Sequence, residues 1–393
     1  MVRKIRDIFQ RKYYWLKDRL SRISFLNIIW KYCKKICRGR QIYEALVQKY
    51  GEQTQIYVEH YPGTGDVYIT CALLDAWREK NNVKGPYVVT VIGGGAVKIA
   101  KLLGIKNTEL LSQEDTDCLV AFLRFMGTES VHNLMILHYS PMIMHTSVLD
   151  MLAGYCGLDF MTMYLSVVFK GVTWQDAVDF PSVPANEEKI TEYFDEKGLI
   201  CGKTVVLFPF ANTIQDMPLE YWEKLARFLR EKGFTVCTNI EPGRLPVPGT
   251  CDVFVPYKYI KSFVEKAGYV VGLRSGIFDI IADTDCKKFI FYPTPNFFKF
   301  GVDTIYEFFS IHRMGIGKKY WEYEFERIYD KYAFMVAYQD ILSSTEKAEK
   351  ENNGYDEVLK HHIHCLIPHY KDVPPQISTT KTGSQENSRM KRV

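Results

Sequence analysis

The runs TVVLFPF at 204–210, LEYWEKLARFLRE at 219–231 and TVCTNI at 235–240 decide the fold. The first and third are β-branched, aromatic and uncharged, as strands buried on both faces are, while the second has the length and periodicity of a helix. Strand, helix and strand joined this closely form a parallel βα unit. Further units follow downstream: a strand at 252–256, a helix at 260–267, strands at 269–273 and 288–292, and a helix between them at 276–282. Upstream the same alternation gives strands at 54–61, 87–93, 108–112 and 133–139, with helices near 66–80, 95–103, 115–126 and 145–155. The apolar stretch 160–169 is read as a strand closing that first sheet. Pro181 and Pro184 break the pattern ahead of a polar helix at 187–196, so the domain boundary falls there. The expected fold class is α/β with two Rossmann-like domains, 41–183 and 184–315. A helix at 316–345 is expected to return to the first domain, and a polar tail at 346–393, rich in Ser, Thr and Pro, completes the chain.

With 393 residues, 47% apolar and 24% charged, the chain is long enough for two domains of ordinary size and is not of disordered composition. Its net charge of +4 is unevenly spread. Residues 1–40 carry thirteen Lys and Arg against Asp7 and Asp18, a net +11, which leaves −7 for the rest. Ile5, Ile8, Phe9, Leu16, Leu20, Ile23 and Trp30 recur at helical spacing among those charges, so 1–40 reads as a basic amphipathic helix. Its longest apolar run, 23–30, is far short of the roughly 20 residues that span a bilayer, and no signal-peptide pattern is present. An anionic membrane surface is the expected partner, with Trp15, Phe25 and Trp30 toward lipid, and an ordinary solvated helix packed on the body is the alternative. Nucleic acid is set aside because the remainder of the chain is acidic. The ten cysteines show no CxxC pairs, which favours reduced thiols in a cytoplasmic protein, peripheral at the inner face of the plasma membrane.

Three constellations sit where strands hand over to helices, the edge at which open α/β sheets bind ligands. The first is Gly63-Thr64-Gly65-Asp66. Its glycines admit close backbone approach, and Asp66 is either a helix cap or a base that takes the proton of an attacking hydroxyl. The second is Arg274-Ser275-Gly276 with Asp279 one turn later. Arg274 either salt-bridges a neighbour or stabilises a departing diphosphate without a metal, and Asp279 is a candidate acceptor for sugar hydroxyls. The third is Phe210 with Asn212 and Thr213, candidates for donor contact or for turn formation. His138 and His145 flank the loop after the fourth strand and are candidates for acceptor contact.

In this order and spacing the three resemble the heptosyltransferase-like glycosyltransferases of family 9. Gly63-Thr64-Gly65-Asp66 with Ala72-Leu73-Leu74 is similar to that family's glycine-rich opening. Val206 to Ala211 with Met217-Pro218-Leu219-Glu220-Tyr221-Trp222 resembles its strand, loop and Trp-Pro helix start. Tyr269 to Ala282 with Phe291-Tyr292-Pro293-Thr294 resembles its Ser-Gly turn and following strand, which hold the donor. The resemblance spans roughly 56–295. It implies a GT-B architecture and transfer from a nucleotide-diphosphate sugar to a saccharide or lipid-linked saccharide, with inversion. Asp66 is then the base and Arg274 lies on the departing phosphate, with no cofactor. Gln215-Asp216 replaces the family's Lys and Asp279 its His, while Arg274 resembles the arginine of fucosyltransferase-like donor sites. Heptose therefore does not carry over as the donor.

Other signals weigh less. Gly93-Gly94-Gly95 suggests a dinucleotide fingerprint, but Lys98 stands where a small residue belongs. It supports the alternative of a nicotinamide- or flavin-dependent oxidoreductase; a noncatalytic membrane-bound scaffold on a transferase fold is the other alternative. Asp115-Thr116-Asp117 and Asp283-Thr284-Asp285 resemble the acidic pair that holds a divalent metal in the other glycosyltransferase fold, but both fall at helix edges, where Asp caps are common. The group His361, His362, His364, Cys365 and His369 suits no standard zinc site, and no metal is expected.

Overall fold

The structure, a computed structural model, describes residues 2–128, 130–139, 158–181, 185–211, 214, 217–241, 243–293 and 305–325. It divides into two compact units, residues 1–63 with 78–144 and residues 64–77 with 145–393.

Unit 1 holds β1 (Gln55–Val58), β2 (Tyr87–Ile92), β3 (Thr108–Leu111) and β4 (Leu134–Ile136) in the order β3-β2-β1-β4, every pair parallel. Helices α3 (Gly94–Leu102) and α4 (Gln113–Met126) supply the crossovers. Ser112 caps α4 by accepting from the amide of Asp115 at 3.0 Å. A single helix, α1 (Val2–Tyr50), runs ten residues past the segment read as helical and docks its last turns on α4. Ile42 and Leu46 enter the core beside Leu119 and Phe122, with Ile36, Tyr43 and Val47 packed around them. Gly39 makes this close crossing possible, since a Cβ there would stand 2.7 Å from the Cβ of Phe122. Arg38 to Asp115 at 3.0 Å and Tyr43 to Asn133 at 2.6 Å fix the register polar-side.

Helix α2 (Thr64–Lys80) begins in unit 2 and ends in unit 1. Unit 2 contains β5 (Thr204–Phe208), β6 (Thr235–Asn239), β7 (Cys251–Val253), β8 (Gly268–Leu273), β9 (Lys287–Pro293) and β10 (Tyr320–Phe325). Their order is β10-β9-β8-β5-β6-β7, all parallel. Counted from β5, this is the 3-2-1-4-5-6 winding of a Rossmann sheet, and unit 1 follows its first four places. The chain is thus α/β with two Rossmann-like sheets.

The strand β5 is buried at every position, so both faces must be covered. Trp222, Leu225 and Leu229 of the helix at Leu219–Glu231 cover one face, packing with Val205, Leu207 and Phe291.

Two expectations change. The stretch 160–169 is not a strand: a helical turn, Phe160–Met163, passes into a wider turn at Tyr164–Val168. Asp159 caps it, its Oδ1 accepting from the amide of Thr162 at 2.9 Å. The C-terminal crossing helix expected over 316–345 is a strand at 320–325, and 326–345 lie outside the described residues. Side chains alternate there: Trp321 stacks on Phe289 with ring centroids 4.7 Å apart, and Tyr323 joins the same core. Glu322 turns the other way and accepts from Ser310 Oγ at 2.8 Å, the amide of Ile311 at 2.7 Å and the Tyr292 hydroxyl. That period of two is a strand's. The helix expected at 145–155 lies outside the described residues.

Candidate active site

In unit 2, β5 and β8 are neighbours and flank the point where strand order reverses. The loops leaving their C-terminal ends carry Phe210 and Arg274-Ser275-Gly276, so the sequence candidates fall at the crevice where such sheets bind ligands. Phe210 is half-buried, with the Arg244 guanidinium 4.5 Å from its ring centroid. Asn212, Thr213 and His145 lie outside the described residues.

The short helix Gly276–Ile280 meets the start of α2 through two glycines. A Cβ on Gly65 would fall 2.9 Å from Gly276 Cα and against the Asp279 carboxylate. A Cβ on Gly276 would fall 2.7 Å from Thr64 Oγ1 and 2.8 Å from Gly65 Cα. Neither residue has a positive φ, so lack of space is what demands glycine here. Tyr257 adds a hydrogen bond to Thr64. The contact brings Thr64, Gly65, Asp66, Arg274, Gly276 and Asp279 together within one unit.

Asp66 stands in the first turn of α2, partly exposed. Its Oδ1 accepts from the Tyr164 hydroxyl at 3.1 Å. Burial of the carboxyl among dense packing pushes its pKa up to about 7; the Tyr164 hydrogen bond and Arg274 pull down, and Asp279 pushes up. A carboxyl whose pKa is raised toward neutrality has the property a general base needs.

Arg274 and Asp279 form a buried ion pair, with side chains only 5% and 4% exposed. The guanidinium reaches Asp279 Oδ1 at 2.5 Å and Oδ2 at 3.1 Å, the Ser275 carbonyl at 2.7 Å, the Phe309 carbonyl at 2.8 Å and Met314 Sδ at 3.7 Å. Burial raises the Asp279 carboxyl and the two-pronged contact with Arg274 opposes it. These contacts employ the donors of the guanidinium inside the protein. Of the two roles weighed for Arg274, the salt bridge to a neighbour is the one this geometry displays. The pair holds the turn at 274–279 in place, and Gly276 with it.

In unit 1, His138 follows β4 and is buried against Tyr139, ring centroids 4.2 Å apart, and Tyr61, at 4.6 Å. Gly63 closes that unit's first segment. The acidic doublets are otherwise engaged. Asp115 pairs with Arg38, Asp117 with His60, Asp285 with Lys318 and Lys319, and Asp283 accepts from the Gly317 amide. The segment 361–369 lies outside the described residues. Sequence reasoning missed Tyr164, which no local pattern ties to a residue 98 positions away.

No protein-family model matches the sequence, and no curated protein does. Solved structures resemble it at low identity. A family 9 glycosyltransferase from Veillonella parvula is 11% identical, over 75% of this chain and 96% of its own, with a TM-score of 0.46. The ADP-heptose LPS heptosyltransferase II of E. coli is 10% identical, over 74% and 99%, with a TM-score of 0.46. The UDP-GlcNAc 2-epimerase of Neisseria meningitidis, bound to UDP-GlcNAc, is 8% identical, over 77% and 95%, with a TM-score of 0.47.

Proposed function

We propose that the chain is a glycosyltransferase that moves a sugar from a nucleotide-diphosphate donor to a saccharide or lipid-linked saccharide. The observation that carries this reading is the carboxyl of Asp66, held by Tyr164 beside the Gly65–Gly276 contact and pushed by burial to a pKa of about 7. In this mechanism Asp66 takes the proton of the acceptor hydroxyl as its oxygen attacks the anomeric carbon. The bond from that carbon to the donor phosphate breaks on the opposite side, and the anomeric centre inverts. Arg274 acts as a positioning residue, since its ion pair with Asp279 fixes the turn on which Ser275 and Gly276 lie. Phe210, Asn212, Thr213 and Ser275 are the residues proposed for donor contact, on their place after β5 and β8.

A screen of UDP-, GDP-, ADP-, CMP- and dTDP-sugars by thermal shift, with NAD(H) as the contrast, identifies the donor. Turnover of the stabilising donor is then compared between the native enzyme and Asp66→Asn. The expected result is a loss of several orders of magnitude in kcat with donor affinity nearly unchanged. Unchanged turnover would remove Asp66 from the mechanism. Epimerisation of the bound sugar without an acceptor, or stabilisation by NAD(H) alone, would replace the transferase reading.

The membrane belongs to the same proposal. Leu26, Ile28, Trp30 and Tyr32 of α1 are exposed, Leu26 at 63% and Trp30 at 60%, beside Lys31, Lys34 and Lys35. No helix among the described residues is long and apolar enough to cross a membrane. The exposed turns of α1 are proposed to lie on the anionic inner face of the plasma membrane.

A further inference from the structure

Unit 1 carries a polar cluster that the reaction above does not use. His60 follows β1 and His138 follows β4, the two strands that flank the reversal in the order β3-β2-β1-β4. Ligands of open parallel sheets bind in that crevice. His60 Nε2 lies 3.2 Å from Asp117 Oδ1, and Gln113 Nε2 donates to the same oxygen at 3.1 Å. Gln113 Nε2 also reaches the His60 carbonyl at 3.4 Å, tying α4 to the end of β1. A carboxylate only accepts, so the ring proton sits on Nε2 and Nδ1 is left with its lone pair. Burial lowers the His60 pKa, with Asp117 opposing, so that the imidazole is neutral and its tautomer defined. Among the described residues, Nδ1 is buried without a hydrogen-bond partner. A buried acceptor left in this state is costly to the fold and points to a donor that arrives from outside. Around it stand aromatic rings: Tyr61 edge-on to His60 at 5.1 Å, and His138 against Tyr61 at 4.6 Å. Tyr61 is partly exposed.

We propose that His60, oriented by Asp117, anchors a saccharide-binding site in unit 1. One ligand hydroxyl donates to His60 Nδ1, and the ring of Tyr61 packs on the sugar's C–H face. His60 is a binding residue here and moves no proton. The site rests on the transferase reading only for the name of its occupant, the acceptor.

Long-range ¹H–¹⁵N spectra of the full chain labelled at histidine test it, with the methyl α-glycosides of glucose, galactose, mannose and N-acetylglucosamine as probes. The expected result is an Nε2-protonated His60 whose Nδ1 resonance shifts with at least one glycoside. Asp117→Asn should weaken that binding about tenfold, the worth of one oriented hydrogen bond. His60→Asn, which keeps an acceptor near the Nδ1 position, should retain binding, and His60→Leu should lose it. Should the Leu variant fail to fold, the Asn and Asp117 variants still decide the matter. No shift at His60 with any of the four glycosides, or equal affinity in His60→Leu, overturns the proposal. Donor binding and Asp66→Asn turnover are measured on other residues, so either proposal can fail alone.

Discussion

Asp66 pays for its position with ionisation held back until near-neutral pH. Its hydrogen bond from Tyr164 favours the charged form, so Tyr164→Phe should raise the pKa further, by about one unit. The acid limb of the kcat profile, expected near pH 7 in the native enzyme, should move upward in that variant. An unmoved limb would mean that another group sets it. The same shift bears on stability. The folded pKa, about 7, lies above the reference 3.8, so between those values the folded chain binds more protons than the unfolded one. Stability is then lost as pH rises through that window, and the loss is complete above it. Asp66→Asn should therefore unfold at a higher temperature than the native chain at about pH 8, by on the order of 2 kcal/mol, with the gap closing toward about pH 4. Thermal melts across that range check the sign, and a gap that widens on acidification would contradict it.

At the scale of elements, the start of α2 rests on the helix at Gly276–Ile280 with no room for a methyl group. Gly276→Ala must push Thr64 and Gly65 away, at a cost of about 1–3 kcal/mol in overpacking. Because Asp66 follows Gly65 directly, turnover should fall together with the midpoint of urea unfolding; full activity at native stability would show the contact to be loose. The elements themselves were mostly legible. β1 and β8 announce themselves as uncharged runs with β-branched residues that end in loops, so Asp66 and Arg274 could be placed at sheet edges from the sequence. The run 160–169 was not legible as a helix, because short apolar stretches fit either period and Asp159 was the one local sign of a cap. The strand at 320–325 hid for another reason. The acceptance of four groups by Glu322, from Tyr292, Ser310, Ile311 and His312, makes its burial possible, and none of those partners is a sequence neighbour. His60 and Asp117, 57 positions apart, meet only once β1 and α4 have packed.

For the whole molecule, charge is the organising asymmetry: +11 in residues 1–40 against −7 elsewhere. Such a chain should orient toward polyanionic surfaces, with a pull that weakens as salt is added. The structure refines the test, since α1 from Ile36 onward belongs to the core of unit 1 and should be kept. A chain lacking residues 2–34 should remain folded but no longer co-sediment with phosphatidylserine-containing vesicles, while the full chain does so at low salt. Equal sedimentation of the two would assign membrane capture, if any, to another face.

The unbroken course of α1 has a mechanical corollary. From Trp30 to Ile42 the helix is continuous and rises about 18 Å. Whatever grips the exposed turns therefore holds unit 1 through continuous helix, not through a flexible tether. With its exposed turns lying in the plane of a surface, the helix carries unit 1 alongside that surface and limits which face of it a surface-borne substrate can meet.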